Sequence, residues 1–143
     1  MKKLLLKLVT PEEIVHEEEV DQVTIPTTEG EITVLPGHVP LVALLGSGDV
    51  VATVNGEHIP FVAVDGFVRI TGDEVTVLAD FAEHVETIAN EAAIKAAQER
   101  AKELQHKFEN EEDVDFEHFE TELERNIMRV KIGEKWKMRG YRK

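Results

Sequence analysis

EGEITVLPGHVP, residues 29–40, sets two glycines, two prolines, two carboxylates and a histidine around one short apolar alternation. Ile32 and Val34, with Leu35 beside them, have the period of a strand. Gly30 and Gly37 can take backbone angles other residues avoid, and Pro36 and Pro40 hold φ near one value. Taken alone, the stretch has two readings. It is either a plain strand-turn-strand connection or a shaped loop that presents Glu31 and His38 from a stiff base.

Working outward, residues 2–80 carry short segments rich in valine and isoleucine and separated by turn residues, so this region reads as all-β. The best segments are 3–10, 13–17, 20–25, 31–35, 49–54, 58–64, 66–71 and 75–78. Asn55-Gly56 between two such runs is a hairpin signal, because a two-residue turn of the favoured hand needs positive φ at both central positions. Gly72-Asp73 is a second turn. Strands this short and this evenly spaced predict a sandwich or flattened barrel of about eight to ten strands. Composition changes across residues 81–87, and residues 88–109 contain neither glycine nor proline, which predicts a helix. Ala93, Ala97, Ala101, Leu104 and Phe108 line one face of it. After the acidic run ENEEDVD, Asp115 is placed to cap a second helix, with Phe116, Phe119, Leu123, Ile127 and Val130 as its apolar stripe. The expected organisation is a β domain over residues 1–84 and an antiparallel two-helix hairpin with a basic tail over 85–143. A seam of alanine against phenylalanine buries little area, so the hairpin packs closely but weakly enough that a ligand can switch it between docked and undocked states.

The 143 residues suffice for an ordinary core, and with no cysteine there can be no disulfide and no thiolate chemistry, which fits a reducing compartment. The start, MKKLLLKLVTPEE, is interrupted by Lys7 and stopped by Pro11, so it reads as a first strand rather than a leader. No apolar run approaches a membrane-spanning length of roughly 20 residues, and no membrane insertion is expected. The net charge of −13 is uneven: 8 basic against 26 acidic residues run up to Glu120, and 8 against 3 follow it. An acidic body argues against nucleic-acid binding, whereas a basic tail suits an acidic protein partner or docking on the body itself.

Catalytic sets are missing. Ser47 is the only serine, and Leu45 stands where a nucleophile elbow needs its first glycine. No phosphate-binding glycine motif is complete. The six histidines form no H-E-x-x-H and no close pair, so no metal site is expected. No cofactor and no enzymatic activity follow from these residues.

The order VTPEEIV, EEEVDQVTIPTTEGEITVLPGHVPLVALLGSGDV, AVDGFVRITGDEVTVLAD, an alanine-rich helix, DVDF and a second helix resembles the epsilon subunit of the bacterial F-type ATP synthase. The resemblance runs from Leu4 to about Val130. It implies a β-sandwich with a helical hairpin, in a non-catalytic rotor subunit of a proton- or sodium-translocating enzyme. It implies partnership with the gamma subunit and the ring of c subunits, at the cytoplasmic face of the membrane. By the same resemblance, Glu31 and His38 would contact the ring. Arg125, Arg129 and Lys131 would press on the catalytic beta subunit when the helices extend and inhibit hydrolysis. Some members bind ATP through I/L-D-x-x-R-A, but the matching places hold Ala89, Asn90 and Ala93, so ATP is not expected there. The alternative is a free-standing nucleotide-responsive regulatory module. The end, GEKWKMRGYRK, has no counterpart in the resemblance; Trp136 and Tyr141 in it are candidates to anchor a partner surface.

Overall fold

The computed structural model describes residues 2–110 and 116–139. Its contacts divide into two compact units, Met1–His84 and Val85–Lys143. The first holds β1 (Leu4–Val9), β2 (Ile14–Val20), β3 (Gln22–Thr27), β4 (Gly30–Val34), β5 (Leu41–Leu44), β6 (Gly48–Val54), β7 (Glu57–Thr71) and β8 (Glu74–His84). They form one sheet in the order β2-β1-β8-β7-β6-β3-β4, with β5 added to β7. All pairs are antiparallel except β1 with β8. The sheet does not close, so the architecture is the sandwich and not the barrel.

Two long strands make the sandwich. Residues 57–63 of β7 pair with β6 in one layer, and residues 67–70 pair with β5 in the other, while β8 follows β7 through both. The corner between the layers is Asp65-Gly66, where both residues have positive φ. A Cβ at Gly66 would stand 1.8 Å from the Leu78 carbonyl oxygen, so no side chain fits where β7 crosses β8. Leu4, Leu6, Leu8, Val68, Ile70, Val75 and Val77 of one layer then meet Val23, Ile25, Val34, Val50 and Phe61 of the other, all essentially without solvent exposure. The segments expected as separate strands at 58–64 and 66–71 are therefore one strand that bends. The eighth strand is instead β5, whose sequence LVAL has no polar alternation for a period-two reading to catch.

In the second unit a 3₁₀ turn at Val85–Thr87 leads to α1 (Glu91–Asn110), and α2 spans Phe116–Met138. Asn90 caps α1, its Oδ1 accepting the Ala93 N–H at 2.9 Å. The buried face of α1 includes Ile94, Ala97 and Leu104, and Phe108 stacks on Phe119 of α2 with ring centroids 4.9 Å apart. On α2 the buried residues include Phe119, Asn126, Ile132, Gly133 and Trp136, while Ile127, expected in the stripe, is 48% exposed. Asp115 and Tyr141 lie outside the described residues.

Candidate functional site

Residues 29–40 become two structures joined by β4. At the first end the β3–β4 hairpin closes at Thr27–Gly30, with the Thr27 hydroxyl donating to the Gly30 carbonyl at 2.5 Å. Glu31 follows, opposite Pro26 in the register and exposed. At the other end Leu35-Pro36-Gly37-His38 is a β-turn: the His38 N–H donates to the Leu35 carbonyl at 3.1 Å, and Gly37 has φ 83°. Proline before a positive-φ glycine is the type II pattern. The Asp73 carboxylate accepts the Gly37 N–H at 2.9 Å and pairs with Lys2 at 3.3 Å, so the turn is tied to the β7–β8 hairpin. His38 Nδ1 lies 2.6 Å from the Val39 carbonyl. A carbonyl can only accept, so Nδ1 carries a proton, and in the neutral ring Nε2 is the acceptor. Four residue steps of about 3.4 Å each lead from Glu31 to Leu35, so Glu31 and His38 occupy opposite ends of β4 and form no single site.

The residues after this loop hold a feature the sequence reading missed. Register places Leu44 opposite Phe67, Phe67 opposite Leu78, Leu78 opposite Val9, and Val9 opposite Ile14. Their neighbours one residue along, Val68, Val77 and Leu8, point into the core, so this row lies on the outer face. It crosses β5, β7, β8, β1 and β2, about 19 Å at 4.8 Å per strand. Leu44, Phe67 and Ile14 are 63%, 44% and 60% exposed. The next row is Val42, Arg69, Thr76, Lys7 and Glu17, of which Val42 is also exposed. Single exposed leucines are ordinary, but a continuous apolar row on a solvent face is a docking surface in form. The sequence signal was the apolar run LVALL, which a period-two reading passes over.

The cations of α2 divide between two sides of the hairpin. Arg125 and Arg129 line a recess of about 820 Å³ together with Arg100 and Glu122, whereas Lys131 lines a separate recess with Lys102 and Ile127. Arg100 Nε donates to Glu122 at 2.7 Å and its Nη1 to Glu103 at 2.9 Å. That guanidinium holds the Glu122 carboxyl below the usual carboxylate range, and Glu122 in turn raises Arg100. Buried Asn126 donates to the Glu122 carbonyl at 2.9 Å and accepts from Arg129 at 3.3 Å. The seam is thus polar in its middle, where alanine and phenylalanine were expected throughout. Chemically, the recess can hold an anion; no nucleophile paired with a base is seen among the described residues that line it. Trp136, considered as an anchor for a partner surface, is only 5% exposed.

Among the described residues no helix is long and apolar enough to cross a membrane, and no group of three or more histidine or acidic side chains could hold a metal ion.

Residues 3–85 match the family described as ATP synthase, delta/epsilon chain, beta-sandwich domain. The ATP synthase epsilon chain of Halalkalibacterium halodurans is 39% identical over 133 residues, spanning 92% of this chain and 98% of that one. The epsilon chain of Dehalococcoides mccartyi is 37% identical over 135 residues, spanning 94% and 95%. Among solved structures, a chain of the Euglena gracilis mitochondrial ATP synthase assembly of OSCP, F1 and c-ring superposes with a TM-score of 0.65. It does so at 22% identity, over 99% of this chain and 83% of that one, a likeness of fold.

Proposed function

The chain belongs to the epsilon-chain family of the ATP synthase, and from that membership we propose that it is a non-catalytic central-stalk subunit joining gamma to the ring of c subunits. The observation that carries the joining role is the outer apolar row from Leu44 to Ile14, which is the seat for gamma. Glu31 and His38, at the two ends of β4, are the ring contacts: a carboxylate for basic loops and a histidine whose Nε2 accepts when neutral. The subunit then sits peripherally at the cytoplasmic face of the membrane. Co-elution with gamma in size-exclusion at micromolar concentration tests the seat. Phe67→Glu is expected to weaken that complex at least tenfold, and an unchanged elution profile would sink the assignment of this face.

The helices supply the second part, restraint of ATP hydrolysis through Arg125, Arg129 and Lys131 against an acidic segment of the catalytic beta subunit. In the closed hairpin two of these three line the recess, so opening is what would bring all three to one partner. Replacing the three by alanine in the assembled enzyme is expected to raise hydrolysis while gamma binding holds; equal hydrolysis removes this part alone.

A second reading, a free-standing nucleotide-responsive module, has the three-arginine recess in its favour. Against it, Asn90 is committed to capping α1 and Ala93 offers no charge. Calorimetry with ATP and with inorganic triphosphate separates the readings. No heat with ATP is expected, and micromolar binding of ATP would favour the module.

A further inference from the structure

Gly133 stands in the interior of α2, where glycine lowers helix propensity, so its place there calls for a packing reason. It is buried, and a Cβ on it would meet the Ile88 carbonyl oxygen at 2.8 Å and Ile94 Cγ1 at 3.2 Å. Only a residue without a side chain lets α2 lie this close to the segment entering α1. Ile132 and Trp136 flank it on the same helical face at 4% and 5% exposure. Two polar ties bracket the contact: Lys137 Nζ reaches Glu91 Oε1 at 3.1 Å, and Gln98 donates to Glu134 at 3.4 Å. Arg139 and Lys135 lie over the Trp136 ring at 5.3 and 5.8 Å.

We infer that residues 132–137 are a latch that holds the hairpin closed, with Gly133 as its seat on Ile88 and the Lys137–Glu91 pair as its catch. The middle of the seam is polar and the Phe108–Phe119 stack lies at its far end, so the dry contact at residues 132–136 is what holds the end nearest the start of α1. Until it releases, Arg125 and Arg129 stay in their recess. The inference concerns the hairpin itself and stands whether or not the stalk assignment does.

Because the chain has no cysteine, Lys102→Cys and Ile127→Cys place two labels uniquely, on exposed positions that line one recess of the closed hairpin. Distance distributions by pulsed electron resonance on the isolated full chain then read opening directly. Gly133→Ala discriminates by sign. It raises intrinsic helix propensity, so without a latch it leaves the short distance intact or sharpens it; with a latch it raises the separated population at least fivefold. Trp136→Ala is expected to do the same. Lys137→Glu is expected to raise the separated population about twofold, and adding Glu91→Lys to restore it; that exposed pair carries no risk to folding. An unchanged short distance in both Gly133→Ala and Trp136→Ala overturns the latch. So does loss of α2 helicity by circular dichroism in place of separation.

Discussion

The sandwich and the hairpin close their interiors by different means. In the sandwich, seventeen buried apolar side chains from two layers form one cluster, and the crossing of β7 over β8 at Gly66 leaves no alternative geometry. The hairpin closes with a stacked phenylalanine pair near one end, a dry contact at Gly133 near the other, and Asn126, Arg100 and Glu122 between. An apolar interdigitated core is cooperative and has one arrangement, whereas polar groups in a seam can exchange their partners for water at modest cost. The first has a single dry arrangement, and the second has a seam whose polar middle water can enter.

The contrast can be broken most sharply at Gly66. Gly66→Val meets the Leu78 carbonyl and a strained backbone together, and should cost about 4 kcal/mol or prevent folding. Urea unfolding followed by amide exchange in β7 checks it; a loss below about 1 kcal/mol would mean the corner is soft. Asn126→Ala should cost the hairpin about 1–2 kcal/mol by stripping the Glu122 carbonyl and Arg129 of a partner, with the sandwich unmoved. Trp136, the single tryptophan, reports that transition by fluorescence. Val42→Ser, on the outer face, should change stability by no more than about 0.5 kcal/mol while still weakening the gamma complex.

The smallest effect is that of pH. Glu122 is held below its ordinary 4.5 by Arg100, so its stabilisation is fully present above 4.5 and is lost as pH falls through the lowered folded value. Trp136 fluorescence in marginal urea should therefore show the hairpin loosening below pH 4.5, and Glu122→Gln should flatten that limb. Asp21, lowered first by its hydrogen bond from Lys3 and then by the Asn55 N–H, acts with the same sign in the sandwich, where the apolar core should mask it.

Much of the chain was legible from residue order. The Asn55-Gly56 turn has φ 52° and 81° as its pairing demands, and the turn at Gly37 follows from proline before glycine. Helix α1 was visible from its composition, though its start moved from 88 to Glu91 because the cap is Asn90. β8 was expected to end near Leu78 yet runs to His84, since ADFAEH keeps its pairing with β7 although its side chains no longer alternate. The buried face of α2 was misread at Ile127, because the stripe was anchored on residues 116–130 and took no account of Gly133 and Trp136.

For residues 29–40, sequence determined the hairpin, the turn and the exposure of Glu31, since local φ preferences and alternation act over a few positions. Only tertiary structure could tie the turn at Gly37 to Asp73. The same holds for the row Leu44, Phe67, Leu78, Val9 and Ile14, five residues scattered over most of the β domain. The physical reason is that a sheet's face is composed by register between strands, and register is a long-range property that no window of neighbouring residues contains.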